Sequence, residues 1–290
     1  MTHIHGHSGR VNAVRFTPDG RYAVSAGDDH AICIHALRDG SLVRQLNGHS
    51  QPVYDVAVTP DSKYIVSGSA DGTARVWQTA TGREVTRLRG PDSAVSCVDI
   101  SPDGRYIVAG TECLWVWCLP NFTLRHCLKP FWFMFVRAAA ITPNSQSVMI
   151  GGERRIPIYT LDLSTGRTLE ERTDAGKSAD PLAISPDGRM AAAWTDGGGI
   201  EVWNRRSGQQ LFQCEEYSSA LAFTMNSNYL LSVDGSALTV YLADTGLEIA
   251  RQTSARQPQC LAVSDDGRRI IIGNKDGSLA LTNLTDIFMG

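Results

Sequence analysis

No stretch of this sequence is long and apolar enough to span a bilayer as a helix. Its apolar runs, such as Phe131-Trp132-Phe133-Met134-Phe135-Val136, fall far short of the ~20 residues that such a helix needs. No apolar segment follows the opening Met1-Thr2-His3-Ile4-His5-Gly6-His7, so no secretory signal is expected. The seven cysteines include no C-x-x-C pair. Cys33, Cys97 and Cys260 stand among apolar residues, the setting of buried reduced thiols, and the expected compartment is the cytoplasm. Lysine is scarce, limited to Lys63, Lys129, Lys177 and Lys275. With a net charge of −3 there is no strong field to draw the chain to nucleic acid or anionic lipid, and neither is expected as a partner. Signatures of catalysis are also missing: there is no G-x-S-x-G, no G-x-x-x-x-G-K and no H-E-x-x-H. Gly197-Gly198-Gly199 precedes no helix whose dipole could hold a phosphate. No catalytic residue and no cofactor is expected.

A soluble core is affordable. Of 290 residues, 42% are hydrophobic and 20% charged, and a chain this long buries about 75% of the surface exposed when unfolded. Residues 1–290 read as one domain, because one theme returns throughout. It appears as Thr17-Pro18-Asp19-Gly20, Thr59-Pro60-Asp61-Ser62, Ser101-Pro102-Asp103-Gly104 and Thr142-Pro143-Asn144-Ser145. It continues as Ser185-Pro186-Asp187-Gly188, Thr224-Met225-Asn226-Ser227 and Ser264-Asp265-Asp266-Gly267. The spacings are 42, 42, 41, 43, 39 and 40 residues, the period of a repeat architecture.

Each theme is a turn: Pro presets φ, Asp or Asn tolerates a bend, and Gly accepts positive φ. An alternating run such as Val53-Tyr54-Asp55-Val56-Ala57-Val58 precedes it, and a short apolar run such as Tyr64-Ile65-Val66-Ser67 follows, which together make a hairpin. A third strand, Thr73-Ala74-Arg75-Val76-Trp77, and a fourth, Glu84-Val85-Thr86-Arg87-Leu88, complete the period. No helical periodicity is visible. The expected fold is all-β: a seven-bladed β-propeller of four-stranded antiparallel blades.

The second repeat carries Gly48-His49, Ser67-Gly68-Ser69, Asp71-Gly72 and Val76-Trp77, and here the chain resembles the WD40 family. The resemblance implies a hydrogen-bonded network of His49, Ser67, Asp71 and Trp77 inside the blade, which fixes geometry when every member is satisfied. The first repeat matches with His7, Ser25 and Asp29 but has His35 in the Trp place. The third keeps Trp117 without the His, the fifth keeps Trp203, and the seventh keeps Asp276-Gly277 with Thr282 in the Trp place. The fourth and sixth have Tyr159 and Tyr241 there. Residues 2–5 match the end of a fourth strand, and the chain stops soon after a third. The N-terminal strand is therefore expected to join the last blade and close the ring. The tail Asp286-Ile287-Phe288-Met289 is a competitor for that edge.

In the resemblance, the Pro-Asp-Gly turns lie on one face of the disc, and partners bind on the other. Candidate contacts on that second face are Phe131, Trp132, Phe133, Met134 and Phe135, just before the first strand of the fourth blade. Aromatics and Met make interface hot spots, although such a run can equally fill space between blades. Arg10, Arg137, Arg154, Arg155 and Lys275 map to the same face, suited to carboxylate or phosphate, with Asn12, Asp28 and Tyr54 beside them. His3, His5 and His7 alternate on one strand, but nothing nearby completes a metal shell, and no metal is expected. Glu170-Glu171 and Glu215-Glu216 read as solvated charge at blade edges.

Three functions compete. The first is a monomeric, non-catalytic scaffold binding a protein or peptide. A version of it is the ligand-sensing end of a larger signalling ATPase, since propellers of this look follow NACHT-type modules; nothing in these residues shows such a module. The second is a hydrolase-like propeller with a metal in the central channel, disfavoured by the small or apolar Val98, Ala139, Leu182, Leu221 and Leu261 on the innermost strands. The third is nucleic-acid binding through arginine, disfavoured by the charge balance.

Overall fold

A computed structural model describes residues 2–129, 135–152, 157–173, 179–195, 197 and 199–288. Among these, the strands form seven four-stranded antiparallel sheets. Blade 2 shows the pattern with Val53–Val58, Tyr64–Ser69, Ala74–Gln78 and Glu84–Leu88 paired in chain order. In blade 7, Pro258–Val263, Arg269–Asn274 and Ser278–Asn283 take Thr2–His5 as their fourth strand. The register runs from Thr2 opposite Leu281 to His5 opposite Ser278. The first strands of blades 1 and 7 also lie side by side, so the ring closes. The tail does not compete for this edge. Residues Leu284–Phe288 form one short helical turn, which buries Ile287 and sets Phe288 against Tyr229, ring centroids 5.2 Å apart.

The seven turns share one set of bonds. In each, the leading Thr or Ser hydroxyl donates to the Asp or Asn side chain two residues on and accepts an amide five residues on. Thr17 does so to Asp19 at 2.6 Å and from Tyr22 at 3.0 Å. The fourth turn residue takes positive φ every time: Gly20, Gly104, Gly188 and Gly267 in blades 1, 3, 5 and 7, and Ser62, Ser145 and Ser227 in blades 2, 4 and 6. A serine there is uncommon, and each of the three repays the strain across a blade boundary. Ser62 Oγ accepts the Asp19 amide at 3.1 Å, Ser145 that of Asp103 at 3.0 Å, and Ser227 that of Asp187 at 3.2 Å. These contacts place the turns of neighbouring blades on one face.

The core is distributed between blades rather than gathered at a centre. Val24, Ile32, Ile34, Leu46, Val53, Val56, Ile65 and Trp77 pack blade 1 on blade 2. Val66, Val76, Leu88, Val95, Ile107 and Trp117 pack blade 2 on blade 3. Ile4, Val11, Val14, Cys260, Ile271 and Leu279 do the same across the seam. Full burial of one such side chain is worth ~1.5–3 kcal/mol, so Ile4 alone gives the closing strand a substantial anchor.

Candidate functional site

In blade 2 the structure brings His49, Ser67, Asp71 and Trp77 together. Trp77 Nε1 donates to Ser67 Oγ at 2.9 Å, and Ser67 Oγ lies 2.7 Å from His49 Nε2. On the other side of the ring, His49 Nδ1 is 2.8 Å from Asp71. Asp71 also accepts the Thr73 hydroxyl at 2.6 Å and the Thr73 and Ser50 amides. Arg75, nearly buried, bridges Asp71 at 3.2 Å and Glu84 at 2.8 Å. Burial pushes the Asp71 pKa up, but the hydrogen bonds from Thr73 and His49 and the nearby charge outweigh it and hold the carboxyl well below the usual range. Burial lowers the pKa of His49.

These are the atoms of a Ser-His-Asp triad, but Ser67 has no solvent exposure and the indole occupies its oxygen. A nucleophile must meet its substrate, and this one is sealed inside a blade. Its work is structural.

Blade 1 repeats the arrangement as far as it goes. His7 lies 2.8 Å from Asp29 and 2.8 Å from Ser25, while His35 stands in the register of Trp77. Blade 3 lacks the histidine, and Trp117 Nε1 donates instead to the Arg89 carbonyl at 3.1 Å. Trp115 covers the site where the histidine would enter. A Cβ on Gly90 would meet its ring at 2.2 Å, so glycine is required there. The Arg172 guanidinium, on the last strand of blade 4, lies 4.7 Å from the centre of the Trp203 ring of blade 5. In blade 7, Asp276 accepts from Arg256 at 3.0 Å and from the Ser278 amide.

Blades 4 and 6 use another device. Tyr159 donates to Glu171 at 3.2 Å, and Tyr241 donates to Glu216, which Arg251 holds at 2.9 Å. Burial and the carboxylate push the Tyr159 pKa up to about 12. Glu171, exposed, and Glu216, half-buried, are thus also partners of buried phenols.

On the face away from the turns, the first strand of a blade carries a bulge in blades 1, 2, 4, 5 and 7. A bulge leaves one residue unpaired and re-aims its side chain. In blades 1, 2, 4 and 7 that residue is Asn12, Tyr54, Arg137 and Gln259. Asn12 donates to Asp28 at 2.8 Å and, across the boundary, to the Val53 carbonyl at 3.0 Å. Tyr54 is 38% exposed. Arg137 donates to Ser96 at 3.3 Å and lies 5.7 Å from the centre of the exposed Phe135 ring. Arg10 and Lys275 are exposed; the Arg10 carbonyl accepts the Asp28 amide at 2.9 Å. Phe131, Trp132, Phe133, Met134, Arg154 and Arg155 lie outside the described residues. The strand that follows residues 131–134 is anchored, with Val136 N donating to the Thr111 carbonyl at 2.7 Å.

The first strands also hold a charged chain that inspection of the sequence missed. Arg15 reaches Asp55 at 3.2 Å, and Asp55 accepts the Val98 amide of the next blade at 3.0 Å. Asp99 accepts the Ile141 amide of the blade after at 2.8 Å. Burial raises the Asp99 pKa to about 6 and that of Asp55 in the same direction, against the pull of Arg15. Both carboxylates tie the inner edges of successive blades together. Among the described residues there is no cluster of three His, Cys, Asp or Glu arranged to hold a metal and no helix long and apolar enough to cross a membrane.

Fold, period and networks define a β-propeller of the WD40-repeat class. The WD40 family profile (WD domain, G-beta repeat) matches residues 1–35, 40–78 and 82–118, so the first three periods carry WD40 repeats. It is 26% identical over 166 residues to the Cross-pathway control WD-repeat protein 2 of Flammulina velutipes, covering 53% of this chain and 52% of that one. It is 26% identical over 96 residues to the Transducin-like enhancer protein 2 of Mus musculus, 33% of this chain and 12% of that one. Protein groucho of Drosophila melanogaster is 31% identical over 71 residues, 24% and 10% of the two chains. The match thus spans about half of the first relative and about a tenth of the others. The likeness to WD-repeat proteins fits a protein-interaction scaffold.

Proposed function

We propose that this chain is a non-catalytic recognition module that holds a protein or peptide on the face opposite the Pro-Asp-Gly turns. The recurring bulge carries this reading. Four blades place a different polar side chain at one level, Asn12, Tyr54, Arg137 and Gln259, on a ring whose blades are fixed by buried networks. A rigid frame with variable side chains at equivalent points is what specific recognition needs, since little ordering cost remains at binding. Arg10, Asp28 and Lys275 add charge to this surface. The run Phe131 to Phe135 supplies its apolar anchor, because it enters the strand that carries Arg137 and holds the residue types that dominate interfaces.

Affinity capture from source-cell lysate tests this with two variants, one combining Tyr54→Ala with Arg137→Ala and one replacing Phe131, Trp132 and Phe133 by Ser. Both should melt like the parent and lose its specific bound proteins. Retention of every bound protein by both variants, with unchanged melts, would falsify the assignment of this face.

A further inference from the structure

All seven cysteines are unpaired, yet two of them meet. Cys113 is buried at the entry to the third strand of blade 3, and Cys127 is exposed on the fourth strand. Trp115 faces Cys127 and Leu114 faces Leu128 across these strands, which brings Cys113 next to Cys127 on the diagonal, with Sγ atoms 3.4 Å apart. The corner is the one that in blade 2 holds Thr73, which precedes Ala74, and Arg87, which faces Arg75. Blade 3 lacks the His-Asp pair and carries thiols there instead. Thr111 fixes one side: its hydroxyl lies 3.7 Å from Cys113 Sγ and accepts the Trp115 indole at 3.0 Å.

We propose that Cys113 and Cys127 form a peroxide-sensitive thiol pair, with Cys127 the residue attacked first and Cys113 the residue that resolves it into a disulfide. Exposure sets the order. Cys127 meets solvent, whereas burial and the neighbouring thiol push the Cys113 pKa up to about 11, and a thiol reacts as its thiolate. The Cys127 thiolate attacks one oxygen of hydrogen peroxide, the O–O bond breaks, and the departing hydroxide takes a proton to leave as water. The product is a sulfenic acid. The Cys113 sulfur then attacks the Cys127 sulfur; an S–S bond forms, the S–O bond breaks, and the released hydroxide takes the Cys113 proton. Two thiols and one peroxide become one disulfide and two waters. The sulfurs must close from 3.4 Å to about 2.0 Å, a movement within reach of side-chain rotation. Cys33, Cys97 and Cys260 are buried away from the reagent, and Cys118 and Cys214 are half-buried.

The fully reduced protein is treated with hydrogen peroxide, denatured, titrated for thiols and mapped by mass spectrometry without reductant. The thiol count should fall by two per chain and return with dithiothreitol, and the linked peptide should join Cys113 to Cys127. In Cys113→Ser, dimedone should trap a sulfenic acid on Cys127 that the parent does not accumulate. In Cys127→Ser, the paired loss should vanish. An oxidised parent with no linked Cys113–Cys127 peptide, read on the unaltered protein, overturns the proposal. Dimedone labelling of Cys113 in preference to Cys127 overturns the order of events.

Discussion

Blades 1 and 2 carry the same histidine, serine and aspartate and part company at one position. Trp77 completes a continuous chain from indole to serine to histidine to aspartate. His35 occupies the same register with no solvent exposure, and neither ring nitrogen has a hydrogen-bond partner at normal geometry. Both side chains lie over a glycine: a Cβ on Gly48 would meet Trp77 at 3.0 Å, and one on Gly6 would meet His35 at 2.6 Å. Blade 2 adds Arg75 and Glu84, where blade 1 has Cys33 donating to the Gly6 carbonyl at 3.0 Å. One repeat can thus be fully satisfied while its neighbour carries a buried polar defect, because the interblade clusters hold both.

The comparison breaks most completely at Asp71. Asp71→Ala leaves His49 without its carboxylate and the nearly buried Arg75 with Glu84 alone, and should cost about 3–5 kcal/mol, read by urea unfolding. Asp29→Ala, with no buried arginine beside it, should cost less, about 1–3 kcal/mol. An equal loss at both sites would show that Arg75 adds nothing.

A pH series sharpens the contrast. Burial, then the charge of His7, lowers the His35 pKa from 6.5 to about 4, with only the His5 backbone opposing. The folded state therefore keeps His35 neutral while the unfolded state takes up a proton. Stability is fully present above the unfolded value and is lost as pH falls from 6.5 towards 4, by up to ~3 kcal/mol. His35→Trp should remove this part of the slope, leaving a shallower one to which His49 contributes in the same direction. A variant with the slope of the parent would sink this account of His35.

At neutral pH the same His35→Trp change should stabilise by about 1 kcal/mol by giving Ser25 the indole donor that Ser67 has. A fall in the melting temperature would mean that blade 1 has no room for the ring. The smallest effect is at Ser62, where Ser62→Ala keeps the positive φ and loses the bond to Asp19, for about 0.5–1.5 kcal/mol. Ser62→Gly loses the same bond but relieves the strain and should cost less than Ser62→Ala.

Period and turn chemistry made the propeller legible before any coordinates, since seven copies of one turn leave little choice of architecture. Closure by residues 2–5 was legible for the same reason, as a fourth strand displaced to the other end of the chain. What escaped was whatever did not repeat. Glu216 lies between blades and 25 residues from Tyr241, so sequence spacing gives no hint that the two meet. Asp55 and Asp99 stand two register steps apart in their repeats, and only the ring shows them bonding the next blade in succession. The alternation of Gly and Ser at the last turn position could be read from the sequence, but its meaning needed the neighbouring turn. Gln259 was missed although it aligns with Asn12, because glutamine carries no alarm of charge or aromaticity.

The closing strand also orders events in time. Thr2–His5 leaves the ribosome long before its partner, Ser278–Asn283. Ile4 must therefore wait, exposed, while the rest of the disc is synthesised. The ladder that seals the ring joins residues almost a whole chain apart, the kind of contact that comes late and slowly. An arc of stacked blades with a free edge is the necessary precursor of the ring, and for that interval the half-made molecule offers a neighbour the same edge that it later keeps for itself.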